Sequence, residues 1–167
     1  MDTVMSKGNI ILKTLSDEDA LAFYRLYNPE GALEHVITGG KSPLEFTRHI
    51  ISLCDEIYSI RMLDAPDIII GDCALHDLNQ SNREIEIGGT LLPGYWGKGI
   101  MKAAFELLIA RAQQQYLVDK IIAKTEKGNL KALKFAQKMG FKTTTTKGDS
   151  VMLIKYLDEN IQTVVNK

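Results

Sequence analysis

From Glu84 the chain reads Glu-Ile-Glu-Ile, continues to a break at Pro93-Gly94, and passes through Tyr95-Trp96-Gly97-Lys98-Gly99 into Ile100-Met101. Strict alternation is a strand period and keeps Glu84 and Glu86 on one face, Ile85 and Ile87 on the other. Beyond Gly99, apolar residues at Ile100, Ala103, Ala104, Leu107, Leu108 and Ala112 follow a helical period, predicting a helix to about Gln115. A strand, a glycine loop and a helix within so few residues restrict the chain to folds that bring a sheet edge and a helix start together. The glycines let main chain approach a ligand, and a helix start leaves amide N–H groups unpaired. Such a nest suits a phosphate, although a lone Gly-x-Gly also serves simply to shape a turn. Neither the dinucleotide pattern Gly-x-Gly-x-x-Gly nor the phosphate-loop pattern ending in Gly-Lys-Ser/Thr has its spacing here.

The remaining periodicities predict a mixed α and β chain. Lys7 to Leu15 is β-rich, and Ser16-Asp17-Glu18-Asp19 supplies an N-cap and acids for a helix to about Tyr27. A second helix is expected from Ser42-Pro43, with Glu45 at the capping-box position and Leu44, Ile50, Ile51 and Leu53 inward. Strand-like runs at Tyr58 to Leu63 and Ile68 to Leu75 form a hairpin across Asp64 to Asp67. Lys120 to Lys124 is a strand, and Asn129 to Met139 a helix with Leu130, Leu133, Phe135, Ala136 and Met139 largely inward and Gly140 as its stop. Phe141 to Thr146 and Val151 to Leu157 make a last hairpin, and Asn160 to Lys167 a loose tail. The whole is expected to be a single domain, residues 1–167.

Lysine and arginine number 20 against 21 acidic residues, for a net charge of −1, so no global field favours nucleic acid. Any anion must therefore be held locally. Met1 to Asn9 lacks the apolar stretch of a signal peptide, and no run approaches the ~18 apolar residues of a membrane span, so a cytoplasmic protein without membrane contact is expected. Cys54 and Cys73 read as buried thiols. His35, His49 and His76 lack metal-ligand spacing and read as structural or surface residues, so no metal is expected.

Gly94 to Gly99 resembles the pyrophosphate loop of the GCN5-related N-acetyltransferase superfamily, with Gly94 in place of the usual Gln or Arg. Asn129-x-x-Ala132 followed by Gly140-Phe141 is similar to that family's second motif, and Asn82 to Gly88 looks like its branch of ribosomal-protein N-terminal acetyltransferases. The resemblance covers about residues 8 to 157. It implies an α+β, three-layer fold: a strongly bent mixed sheet of about seven strands flanked by about four helices, with its central strands splayed.

The same resemblance implies acetyl-CoA as co-substrate, seated between the splayed strands. Its amides would pair with main chain around Gly89, Thr90 and Leu91. Its pyrophosphate would rest on the amides of Trp96, Gly97, Lys98, Gly99, Ile100 and Met101, and Asn129 would hydrogen-bond the pantetheine or a structural water beside it. A main-chain N–H near Leu91 would face the developing oxyanion. Glu86 aligns with the branch's strand glutamate and is the candidate general base, although alternation alone favours a solvated strand face. The general acid is missing: Ala132 and Ala136 stand where the family places Ser or Tyr. The expected activity is acetyl transfer to a primary amine, a peptide N-terminus or a small molecule, by a monomer or homodimer. A binding protein that senses acetyl-CoA without turnover, or a structural subunit with no affinity for it, are the competing readings.

Overall fold

The computed structural model describes residues 2–28 and 38–158. The expected tail and most of the loop between the first two helices lie outside these residues. Eight strands form one sheet in the order β1-β2-β3-β4-β5-β6-β8-β7. The first strands are β1 (Val4–Lys7), β2 (Ile10–Thr14), β3 (Glu56–Met62) and β4 (Gly71–Asn79). The others are β5 (Glu84–Leu91), β6 (Lys120–Glu126), β7 (Lys142–Lys147) and β8 (Ser150–Tyr156). Four helices flank them: α1 (Ala20–Tyr27), α2 (Pro43–Leu53), α3 (Ile100–Tyr116) and α4 (Leu130–Lys138).

The eighth strand corrects the expected count of about seven. Gly8 takes a left-handed φ of 59° in the turn that pairs β1, almost wholly ahead of the expected strand at residues 7–15, with β2. The helix starts follow the capping chemistry: the Ser42 hydroxyl accepts from the Glu45 amide at 3.2 Å, and the Glu45 carboxylate accepts from the Ser42 amide at 3.1 Å. Asp17–Asp19 first makes a 3-10 turn ahead of α1.

Two clusters of buried side chains lie on opposite faces of the sheet. On one face α3 packs Ala104, Phe105, Leu108 and Ala112 against Cys73, Leu75, Ile85 and Ile87. On the other, Phe23 and Phe46 of α1 and α2 stack with ring centroids 5.6 Å apart above Ile57 and Ala74. That aromatic contact decides which side of α2 turns inward. Phe46 and Thr47 are buried, whereas Leu44 and Leu53, expected inward, are 39% and 60% exposed. Leu130 is likewise 67% exposed, because α4 starts beyond the edge of the α3 layer that covers Ala136.

The parting of β5 and β6 positions the site. These two parallel strands pair only at Glu84 to Glu86 against Lys120 to Ile122. Beyond that, β6 stays with β8 along its whole length while β5 stays with β4, so the two diverge. The freed edge of β5 is specific. The Arg83 carbonyl accepts from Asp119 and Lys120 on the β6 side, and the Leu92 amide donates to Ile70 on the β4 side. With a period of two, the main-chain groups of Ile87, Gly89 and Leu91 therefore face the gap.

Candidate active site

Gly97 and Gly99 close the loop from β5 to α3 with φ of 73° and 76°, and Gly99 caps the helix. A Cβ at either position would meet no atom within 4 Å. The first backbone bond of α3 runs from the Ala103 amide to the Gly99 carbonyl, so the preceding amides of the first turn have no helical acceptor. An open, glycine-floored cradle at a helix start fits a pyrophosphate. Trp96 departs from the expected amide set. Its amide closes a 3-10 turn onto the Pro93 carbonyl at 3.2 Å, and its indole donates to the Leu91 carbonyl at 2.7 Å. Gly97 to Met101 thus form the cradle, and the Leu91 carbonyl is already taken.

Of the strand residues expected to meet the pantetheine arm, Gly89 and Leu91 turn main-chain groups toward the gap. Thr90 turns its own toward β4, and its side chain accepts from the Tyr27 hydroxyl at 3.3 Å. A Cβ on Gly89 would sit 2.8 Å from the Asp72 carbonyl and 3.1 Å from Met101 Cε, so this position requires glycine. Met101 thereby presses the start of α3 against the parting strand. Lys98 lies 5.6 Å over the Tyr95 ring, and Lys131 of α4 lies 4.9 Å over the Trp96 ring, tying α4 to the glycine loop. Asn129 caps α4 by accepting from the Ala132 amide at 3.2 Å. A cavity of about 500 Å³ lies beside it, lined also by Lys124 to Glu126 and by Asp149 and Ser150.

Glu86 stands at the apex where β5 and β6 part. Its side chain is only 12% exposed, which sets aside a solvated strand face, and Oε2 lies 3.3 Å from Lys124 Nζ on β6. Cross-strand pairing places His76 of β4 opposite Glu86. His76 Nδ1 is 2.8 Å from Asp77 Oδ2. One ring nitrogen and one oxygen from each of Asp77 and Glu86 lie within 4.8 Å of one another. Sequence reading left His76 as a structural or surface residue. Its place beside Glu86 depends on a register shift between His76 and Asn79 that no local pattern announces.

Farther along the same face, Asp72 is 4% exposed and accepts from the Tyr27 hydroxyl. Burial pushes its carboxyl up to about 6, against the pull of the Tyr27 hydrogen bond. Between these two polar groups lie Ala74 and Gly88, paired across β4 and β5. Glu86 and Asp72 are thus two carboxyl groups on this face, Glu86 at the gap and Asp72 buried against Tyr27, with Ala74 buried under the aromatic rings of α1 and α2 and Gly88 part-exposed.

An open sheet with a splayed strand pair, an anion cradle at a helix start and a carboxylate at the apex defines a group-transfer fold built around an extended phosphate-bearing donor. Residues 9–142 match the acetyltransferase (GNAT) domain model, and the chain belongs to that family. It is 32% identical over 75 residues to the "Uncharacterized N-acetyltransferase p20" of Bacillus licheniformis, an alignment covering 45% of this chain and 42% of that protein. The chain therefore matches less than half the length of that relative. The fold is shared with RimL, a ribosomal L7/L12 alpha-N-protein acetyltransferase solved in complex with coenzyme A. The TM-score is 0.78 at 15% identity, over 95% of this chain and 100% of that one. It is shared too with a ribosomal-protein-S5-alanine acetyltransferase from Vibrio fischeri, with TM-score 0.73 at 18% identity over 95% and 98% of the two chains. No helix among the described residues is long and apolar enough to cross a membrane.

Proposed function

We propose that the protein transfers an acetyl group from acetyl-CoA to a primary amine that reaches the gap past the Glu86–Gly88 face of β5. The observation that carries this reading is the junction of the open Gly97–Gly99 cradle with the unpaired edge at Gly89 and Leu91, ending at the half-closed carboxylate of Glu86. Acetyl-CoA, when bound, supplies an activated thioester. The amides of the first turn of α3 hold the diphosphate, and the free edge of β5 takes the pantetheine as an added strand would. The Leu91 N–H, turned into the gap, polarises the acyl oxygen. Glu86 accepts a proton from the incoming ammonium, directly or through one water, so that the nitrogen reaches the thioester uncharged.

This face favours a cationic acceptor. Glu86 brings a carboxylate to the gap, and Gly88 beside it on the same face of β5 adds no side chain to obstruct a peptide or slender amine. The relatives that act on ribosomal-protein N-termini support a peptide α-amine as the acceptor. Such an amine has a pKa of about 7.7–8.0, against about 10.4 for lysine, and asks less of the base. The test is a screen of free amines and short peptides with thiol release as readout. Acceptor-dependent release supports the transferase. Acetyl-CoA binding with no acceptor-dependent release supports the sensor reading instead.

A further inference from the structure

His76 and Asp77 are built in a way that a surface pair is not. Asp77 holds a left-handed φ of 53°, a conformation that costs a non-glycine residue energy and persists where the surroundings require it. It does so within the register shift of β4, which turns its carboxylate back onto the preceding ring at 2.8 Å. The His76 ring beside Asp77 holds that carboxyl below the usual carboxylate range, and an ionised carboxylate only accepts. Nδ1 is thus the nitrogen engaged by Asp77, and Nε2 is the one turned away from it. Nε2 lies 3.8 Å from where a Cβ on Gly88 would stand, so the missing side chain at 88 leaves room beside it.

We infer that His76, oriented by Asp77, is the group through which the acceptor's proton leaves the site, with Glu86 handing it across. The inference rests on the transferase reading above. Glu86 takes one N–H proton from the ammonium and passes it through a bridging water to Nε2. The imidazolium releases a proton to solvent at its exposed edge, the His76 side chain being 29% exposed. The freed lone pair then forms the C–N bond as the C–S bond breaks. The departing sulfur takes the second proton from the same nitrogen, so an enzyme with alanine at 132 and 136 needs no separate acid. The ionisable groups facing the ring are Asp77 on its own strand, Glu86 on β5 and Lys124 on β6, with Asp55 nearby bonded to the Leu78 amide. Lys124 brings positive charge into the mouth, which suits outward passage of a proton.

The test uses the whole chain and an acceptor that the wild type acetylates. His76→Gln is expected to lower kcat about tenfold or more near pH 7, with KM for acetyl-CoA unmoved and the loss shrinking above about pH 8.5, where an α-amine is neutral unaided. Asp77→Asn, which tolerates the left-handed backbone, should give a smaller kcat loss. In the resting protein, nitrogen NMR of the ring should show hydrogen on Nδ1, reverting toward Nε2 in Asp77→Asn. A His76→Gln profile within twofold of wild type at every pH, or hydrogen on Nε2 in the wild type, overturns the inference. If the wild type releases no thiol with any acceptor, the transferase reading falls, and this inference with it. Release that is indifferent to His76 removes only the relay.

Discussion

Lys124 Nζ stands 3.3 Å from Glu86 Oε2, across the point where β5 and β6 stop pairing. The contact pins the carboxylate at the apex of the gap rather than letting it swing toward solvent. Glu86→Gln should therefore lower kcat about 10²-fold while leaving coenzyme A affinity intact, with steady-state kinetics and calorimetry read side by side. A loss below about threefold would remove Glu86 from proton transfer.

The cradle predicts a sharp difference between neighbouring glycines. Gly97→Glu puts a bulky anion into the open space over the helix start, on a backbone of left-handed φ, and should abolish binding of coenzyme A in titration calorimetry. Gly94→Ala, at an ordinary φ and with equally open surroundings, should bind as the wild type does. Equal affinities for all three proteins would place the diphosphate elsewhere.

The ion pair of Arg61 with Asp19 is closed from water, at 8% and 10% side-chain exposure and 2.7 Å separation. The guanidinium also donates to Ser59 Oγ and to the Pro66 carbonyl. Asp19→Ala leaves that buried charge unpaired and should cost about 3–5 kcal/mol in urea unfolding. A cost below about 1 kcal/mol would show that water reaches the arginine.

Asp72 sets a pH dependence of unusual sign for a carboxylate. Its folded value of about 6 lies above the ~3.9 of an unfolded aspartate, so between those values the folded chain keeps a proton that the unfolded chain has lost. Its contribution is full below about pH 4 and is lost as pH rises through about 6, a change on the order of 3 kcal/mol. Asp72→Asn should gain stability relative to wild type across that window. Unfolding curves that stay parallel from pH 4 to about 7 would refute the placement.

What was legible in the sequence were the features that depend on near neighbours. The Glu84–Ile87 alternation, the Ser42 and Glu45 capping box and the glycines before α3 each carry their structural reason within a few residues. What stayed hidden depends on contacts distant in the chain. Phe46 displaced Leu44 and Leu53 from the interior of α2 because Phe23 and Tyr27 were waiting on α1. The strand before the Gly8 turn is mostly exposed, so its place comes from pairing with β2 rather than from a buried face that a local pattern would show. His76 reached Glu86 only through the register of β4 on β5, and that register shifts at a residue whose backbone strain no composition reveals.

The single sheet separating the two hydrophobic clusters has a consequence for how such proteins diverge. The glycine loop and the free strand edge belong to β5 and α3 on one side, while the aromatic pair of α1 and α2 covers Ile57 and Ala74 on the other. At Gly89, a Cβ would press at once on Met101 of α3 and on the Asp72 carbonyl of β4. The packing of α1 and α2 on their face can therefore drift while the glycine loop and the free strand edge on the other continue unaltered.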